Sequence, residues 1–514
     1  MTIHPNGAQL NIANGVREFA RAKADHQAVV DGSWSITYRE LGSRSNRVAT
    51  ALLDRGLPPG ERVAVVLGNR LEYPEIAAGI AKAGLVMVPV NPKLAADEIR
   101  YILDHSECRV VVADQQFAND LAPVIEERNL ADTWTIDGDG LGPAYETVLR
   151  DARDVDPTVA VPENSAFVVA YTSGTTGKPK GVQISHRSRC LTFLATALEW
   201  GIGPGQRTIA VAPMYHGAGF AFAYAAVYCG GTLAMLRKWD PEAALAMMER
   251  ERANSVFLVP THAQMMKSLG EDVIRGRDLS ALETLYFNAA AMPYPLKEWV
   301  IEAFPGVSLH EVYGSTEAGV VTCLRPEDQL RKPGSVGHPW FLTEVRLLDP
   351  HGQPVTPGDV GELYSRSPYL MNGYLHDDAA TDRCTTDDGF LTAGDLARED
   401  EEGYLSIIDR VKDMIVSGGV NIYPREVEDA LLQHPAVEQV AVTGIPDEQW
   451  GEVVAAMVVP RDGVSINEAE LVEHCRGRLA SFKAPKLVRF QGGLPSNPSG
   501  KILKREIREQ LAAE

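Results

Sequence analysis

Tyr171-Thr172-Ser173-Gly174-Thr175-Thr176-Gly177-Lys178-Pro179-Lys180-Gly181 decides how the rest of this chain is read. Ser and Thr hydroxyls, three glycines and two lysines share one turn-prone loop suited to a polyphosphate. Glycine lets backbone N–H groups converge on an anion, hydroxyls donate to phosphate oxygens, and lysine adds a compact positive charge. The preceding Ser165-Ala166-Phe167-Val168-Val169-Ala170 reads as a buried strand, which places the loop at a sheet end, where α/β folds bind ligands. The loop is not the P-loop of nucleotide-hydrolysing switches. Only two residues separate Gly174 from Gly177, and Pro179 rather than Ser or Thr follows Lys178.

The 514 residues exceed one ordinary hydrophobic core and imply two or more domains. A hydrophobic content of 45% with 23% charged residues is that of a globular protein. With 49 basic against 69 acidic residues the net charge is −20, which excludes general attraction to nucleic acid or anionic membranes. A phosphate-rich ligand therefore needs a local basic site. The six cysteines are scattered, without a CxxC pair or zinc spacing, and read as reduced thiols of a cytoplasmic protein. No secretory signal is legible at the start. Thr208 to Leu236 lacks Asp, Glu, Lys and Arg, but Pro213 and four glycines divide it into strand, helix and strand, so no transmembrane segment is expected.

Helix and strand signals alternate in the first third: helices over 41–53, 72–83 and 96–103, and strands over 62–67, 86–90 and 109–113. Such alternation implies βαβ units on a parallel sheet. Short strands at 255–259 and 283–287 suggest a second such layer, and 344–348, 361–365 and 404–408 a β-rich subdomain. Near Asp409 the character changes. A helix opened by Pro424, strands over 439–443 and 452–459 and a helix over 468–479 make a compact α+β module. The expected architecture is thus α/β, with a large domain of doubly wound parallel sheets over 1–409 and a small, mobile α+β domain over 410–514.

The loop resembles the phosphate-binding signature of the adenylate-forming enzymes, the superfamily of acyl-CoA synthetases, peptide-synthetase adenylation domains and beetle luciferases. Ala212-Pro213-Met214-Tyr215-His216-Gly217, Tyr313-Gly314-Ser315-Thr316-Glu317, Gly394-Asp395, Asp409-Arg410-Val411-Lys412-Asp413 and Pro498-Ser499-Gly500-Lys501 match in the family's order and span nearly the whole chain. The resemblance implies ATP and CoA as co-substrates, Mg²⁺ as cofactor and a carboxylic acid as the third reactant. A homodimer is common among such relatives.

Joining a carboxylate to ATP brings two anions together, so preorganised positive charge must offset their repulsion. The resemblance makes Lys501 the catalytic lysine and Glu317, Thr176 and His216 further catalytic candidates. Glu317 would hold Mg²⁺, with the Thr172 hydroxyl nearby. ATP and AMP would contact Thr172, Ser173, Gly174, Thr175, Thr176, Gly177, Lys180, Asn288, Ala289, Ala290, Tyr313, Gly314, Ser315 and Thr316. Asp395 would take the ribose hydroxyls, supported by Arg410. Lys412 stands at the family's hinge, about which the small domain would exchange an adenylating pose for a thiol-accepting one.

Gly418 and Gly419 would let a pantetheine arm pass, although a simple turn explains them too. Lys483 and Lys486 are either CoA phosphate contacts or a solvated basic turn. The acyl pocket is expected from Tyr215, His216, Ala218, Phe220, Thr261, Ala289, Gly314 and Gly319, with His216 a gate or a core histidine. Their small or apolar character suggests an uncharged aliphatic, aromatic or polycyclic acyl body. No acidic residue follows the Tyr215 segment, which disfavours an α-amino acid. One departure stands out: Asn288-Ala289-Ala290-Ala291-Met292-Pro293 carries alanines where the family is glycine-rich. Two rival readings are an adenylating enzyme that loads a carrier protein in trans and a nucleotide-binding protein without catalysis.

Overall fold

The computed structural model describes residues 9–126, 128, 130, 132–157, 159–172, 178–461, 463–496 and 502–513. Ser173, Gly174, Thr175, Thr176, Gly177 and Lys501 lie outside the described residues. The chain divides into two compact units, one of Met1–Val345 with Ser365–Leu391, the other of Arg346–Tyr364 with Thr392–Glu514.

Two large sheets organise the first unit. One has seven strands, ordered Gly373–Tyr374, Lys180–Ser185, Ala166–Thr172, Val86–Pro89, Arg62–Val66, Val110–Asp114 and Asp132–Ile136. Its last five strands run parallel, because each is a short apolar run returned by a helix. Arg62–Val66 shows why: Val63, Ala64, Val65 and Val66 are all fully buried, leaving no polar face. The second sheet has nine strands, with Gln27–Asp31, Thr232–Met235, Arg207–Ala210, Ser255–Leu258, Thr284–Phe287 and Ser308–Ser315 parallel at its centre. Strands Trp34–Thr37, Gly319–Leu324 and His338–Pro339 close its edges antiparallel.

Helix starts follow local chemistry. Thr37 and Glu40 form a reciprocal capping box on Tyr38–Leu53. Asp240 caps Pro241–Arg250, with proline in its first turn. Ser185 accepts from the Ser188 N–H at 3.1 Å and so starts His186–Trp200 at the end of its strand. The chargeless segment expected to divide into strand, helix and strand does so, as Arg207–Ala210, Gly217–Tyr228 and Thr232–Met235. No helix among the described residues is long and apolar enough to cross a membrane.

The second unit carries most of a four-stranded sheet ordered Glu344–Leu348, Val360–Arg366, Leu391–Glu399 and Leu405–Arg410. Beyond it, Val420–Ile422, Ile415–Ser417, Gly451–Pro460 and Val437–Asp447 form a second sheet in that order, with Leu487–Phe490 parallel to Gly451–Pro460. Helix Pro424–Leu432 buries Val427, Ala430 and Leu431 against a core that includes Val440, Val442, Val454 and Leu471. This mixed α/β architecture, large parallel sheets followed by a smaller α+β module, is the one the sequence implies.

Candidate active site

Strands Ala166–Thr172 and Lys180–Ser185 pair antiparallel, with Thr172 opposite Lys180. The strands that flank the glycine-rich stretch are therefore antiparallel neighbours beside the parallel strands of this sheet. Its described flanks are tied down: Tyr101 donates to the Pro179 carbonyl at 2.9 Å, and Lys178 lies 5.4 Å over the Tyr101 ring. Lys180 lies 4.6 Å over the ring of Tyr374, whose hydroxyl donates to Glu317 Oε1 at 3.1 Å. One tyrosine thus joins a loop lysine to the carboxylate expected to hold Mg²⁺. Nothing in the motif spacing pointed to Tyr374. It arrives on a two-residue strand, Gly373–Tyr374, paired to Lys180–Ser185.

Glu317 sits in the turn between Ser308–Ser315 and Gly319–Leu324. Its carbonyl accepts from Met371 N–H at 2.8 Å, and Ser315 Oγ accepts from Ala318 N–H at 3.0 Å, so both ends of the turn are pinned. The two glycines here answer to packing. A Cβ on Gly314 would fall 2.0 Å from the Gly319 carbonyl oxygen, and one on Gly319, at φ +70°, 2.6 Å from Tyr369 Cβ. Tyr313 and Ser315 at the end of the strand and Thr316 in the turn are half-buried. Glu317 offers a carboxylate and Thr172 a hydroxyl, both hard oxygen donors of the kind Mg²⁺ prefers.

His216 precedes Gly217–Tyr228 as its N-cap, and its side chain makes no cap hydrogen bond. Its ring lies 4.7 Å from that of Tyr215, and burial holds its pKa below the ordinary value, which keeps it neutral near pH 7. Ala218 is half-buried against an aromatic cluster that includes Trp200, Phe222, Tyr286 and Trp340. Phe220 departs from the expected pocket. It is 3% exposed and its ring is enclosed by Tyr73, Phe167, Phe193 and Tyr224, so it is a core residue of the helix face turned to the other sheet. Thr261 is exposed in the first turn of Pro260–Ser268.

Asn288, Ala289 and Ala290 follow strand Thr284–Phe287. Ala289 has φ +76°, a left-handed conformation that glycine adopts without strain, and the Asn288 side chain accepts the Ala289 N–H. The alanine substituted into a glycine-rich segment is thus strained. The segment's far end is anchored where Glu311 accepts the Met292 N–H at 3.2 Å and pairs with Lys297 at 2.7 Å, a buried ion pair that no motif announced.

In the second unit Asp395 and Arg410 face each other on paired strands. Arg410 donates Nε to Asp395 at 2.9 Å and Nη2 to the Ala393 carbonyl at 2.8 Å. The arginine therefore orients the carboxylate expected to take the ribose. Gly394 at φ +77° accepts the Val411 N–H at 2.9 Å, which binds the turn carrying Lys412 to this strand pair. Asp409 accepts from the Arg425 N–H at 2.9 Å in the first turn of Pro424–Leu432, while burial raises its pKa. Gly418, at φ +58°, lies under Trp450, where a Cβ would meet the ring at 2.8 Å; around Gly419 there is open space. Lys483 is paired with Glu426 at 2.6 Å, and Lys486 donates its backbone N–H to Val454 at 2.8 Å.

The chain matches known proteins along nearly its whole length. The family model for AMP-binding enzymes covers residues 16–375 and that for the AMP-binding enzyme C-terminal domain covers 426–501.

The chain belongs to the AMP-binding enzyme family.

It is a member of the adenylate-forming superfamily in its acyl-CoA synthetase branch, and hence an enzyme of the acid–thiol ligase class. It is 37% identical over 494 residues to a feruloyl-CoA synthase of an Amycolatopsis species, covering 96% of this chain and 97% of the relative. It is 35% identical over 508 residues to the long-chain-fatty-acid–CoA ligase FadD13 of Mycobacterium tuberculosis, covering 98% and 99%. A fatty acid–[acyl-carrier-protein] ligase, ScoC of Streptomyces coeruleorubidus, is 34% identical over 502 residues, covering 94% and 93%. Among solved structures, ATP-bound MatB from Rhodopseudomonas palustris aligns with a TM-score of 0.88 at 30% identity, covering 97% of this chain and 99% of MatB.

Proposed function

We propose that this AMP-binding enzyme is an ATP-dependent carboxylate–CoA ligase for an uncharged-bodied aliphatic, aromatic or polycyclic acid. The convergence of Lys180, Tyr374 and Glu317 at the start of strand Lys180–Ser185 carries this reading, because it joins the loop expected to bind phosphate to a carboxylate on a separate element. In the first half-reaction an oxygen of the acid attacks the α-phosphorus, the bond from that phosphorus to the bridging oxygen breaks, and pyrophosphate leaves. In the second, the CoA thiol loses its proton, its sulfur attacks the acyl carbon, and the carbon–oxygen bond to AMP breaks.

The loop over 173–177 with Lys180 would bind the departing pyrophosphate. Thr316 and Tyr313 would contact the AMP phosphate and adenine, and Asp395, held by Arg410, the ribose hydroxyls. Glu317 and Thr172 would hold Mg²⁺, which neutralises phosphate charge when bound. Lys501 would donate to the carboxylate and the α-phosphate. Lys412 would act as the pivot of residues 410–514 between half-reactions. Tyr215, His216, Ala218 and Ala289 would line the acyl group, and Gly418, Gly419 and Lys486 the thiol arm. Lys483, already paired with Glu426, is the weakest of the CoA contacts.

A second reading replaces CoA by a carrier protein in trans, favoured by the similarity to ScoC. Purified protein with Mg-ATP, CoA and a panel of carboxylic acids tests the choice. CoA-dependent formation of acyl-CoA and AMP is expected. Acyl transfer to a phosphopantetheinyl carrier protein but not to CoA would establish the second reading; ADP as product, or no turnover with any acid, would sink both.

A further inference from the structure

Arg189 lies in the first turn of His186–Trp200, a helix whose start Ser185 fixes. It is 7% exposed, its Nε has no hydrogen-bond partner, and no carboxylate among the described residues pairs with its guanidinium. Burial lowers its pKa to about 10, so it is a cation at neutral pH. A buried cation without a partner is a large free-energy cost, which a ligand's negative charge can offset.

The guanidinium faces the start of another helix. A Cβ built on Gly217 would meet Arg189 Nη2 at 3.6 Å and Thr316 Oγ1 at 3.8 Å. Gly217 opens the twelve-residue helix Gly217–Tyr228, and the His216 side chain leaves its first N–H groups uncapped. Arginine fork, threonine hydroxyl and helix N-terminus therefore border one small volume, kept open by the missing side chain of Gly217. A planar guanidinium matches a carboxylate in two parallel hydrogen bonds, and a helix N-terminus adds partial positive charge.

We propose that Arg189, with the N-terminus of the Gly217–Tyr228 helix and the Thr316 hydroxyl, receives a carboxylate of the acid substrate. The inference rests on the acid-activating function proposed above. Two carboxylates meet the description: the one that attacks ATP, and a second one carried by a dicarboxylic acid. The place of Thr316 beside the AMP phosphate in that function favours the attacking one. Arg189 would then gather the acid's negative charge before adenylation, stay protonated throughout, and lose its partner's charge once the mixed anhydride forms.

Steady-state kinetics with hexanoate, cinnamate and adipate, comparing wild type with Arg189→Met and Arg189→Lys, test this. Arg189→Met should raise the KM for the acid about tenfold to a hundredfold, the loss of a charged hydrogen-bond partner, with Arg189→Lys recovering part of it. A rise with all three acids assigns the attacking carboxylate, and a rise confined to adipate assigns a second one; either supports the proposal. Thioester formation from supplied acyl-AMP should change far less, and the melting temperature should stay level or rise, because an unpaired buried charge has been removed. An unchanged KM for every acid, or equal loss in both half-reactions with a lower melting temperature, overturns it. Equilibrium binding of the same acids separates this proposal from the ligase assignment. Binding weakened by Arg189→Met without any turnover in wild type supports the receptor and removes the ligase, whereas turnover with binding unaffected by the substitution does the reverse.

Discussion

Lys297 and Glu311 form an ion pair at 2.7 Å with side chains 2% and 7% exposed, and Glu311 also accepts the Met292 N–H. Lys297→Met leaves a buried carboxylate without its cation. Breaking such a pair from one side costs about 3–5 kcal/mol, whereas replacing both partners by apolar groups of similar volume is close to neutral or stabilising. The structure adds one correction: Glu311→Met also orphans the Met292 N–H, a further penalty of about 1–3 kcal/mol. Lys297→Met should therefore lower stability by about 3–5 kcal/mol, and the double variant Lys297→Met/Glu311→Met should recover most of that loss but not all of it. Denaturant unfolding of wild type, both single variants and the double variant measures the coupling directly. Because Glu311 anchors the segment from Asn288 to Met292, the KM for ATP should rise in both single variants. A loss below about 1 kcal/mol for Lys297→Met, or a double variant no more stable than the worse single one, would refute the reasoning.

Further consequences follow from other parts of the molecule. Ala289→Gly relieves a left-handed alanine and should stabilise the protein by about 1 kcal/mol, read from the unfolding midpoint; a loss of stability would contradict the strain. Gly319→Ala combines positive φ with a 2.6 Å approach to Tyr369 and should cost about 2–4 kcal/mol, with reduced turnover as the Glu317 turn shifts. His186 is buried with its pKa lowered to about 3, so the unfolded chain takes up the proton first; its share of stability is complete above about pH 6.5 and falls by about 2 kcal/mol by pH 5. Unfolding of wild type and His186→Gln between pH 7 and pH 5 checks the sign: wild type should lose about 2 kcal/mol more than the variant, which keeps the slope of the other buried histidines, His262 and His310. Lys501→Ala should abolish acyl-AMP formation while thioester formation from supplied acyl-AMP persists; equal loss of both would refute its assigned role.

How much of this was legible in the sequence depends on where each signal resides. The alternating apolar runs around Val63 and Val110 announced the parallel sheets, because a strand buried on both faces has no polar residue to disguise it. The strand Gln27–Asp31 gave no such notice: five residues joined to a distant partner, Thr232–Met235, leave little pattern of their own. The strands on either side of 173–177 pair antiparallel, and the return strand, Lys180–Ser185, is edged by Tyr374; an apolar run before a glycine-rich stretch does not announce that pairing. Phe220 packs on Phe193, and an aromatic next to the Tyr215 segment looks the same in sequence whether its helix turns it toward a ligand or toward that ring. Arg189 was invisible for a related reason. Its charge acquires meaning only when the helix buries it beside Gly217 and Thr316, and nothing in the run His186-Arg187-Ser188-Arg189 distinguishes it from solvated Arg187, which pairs with Glu163 at 2.6 Å.

The central claim is that a carboxylate oxygen attacks the α-phosphorus of ATP. The direct measurement is the fate of an acid labelled with ¹⁸O in its carboxylate, turned over with Mg-ATP and CoA and followed by mass spectrometry of the nucleotide. The account predicts one ¹⁸O in AMP and none in pyrophosphate. Label appearing in inorganic phosphate together with ADP, or AMP released without label, would contradict it.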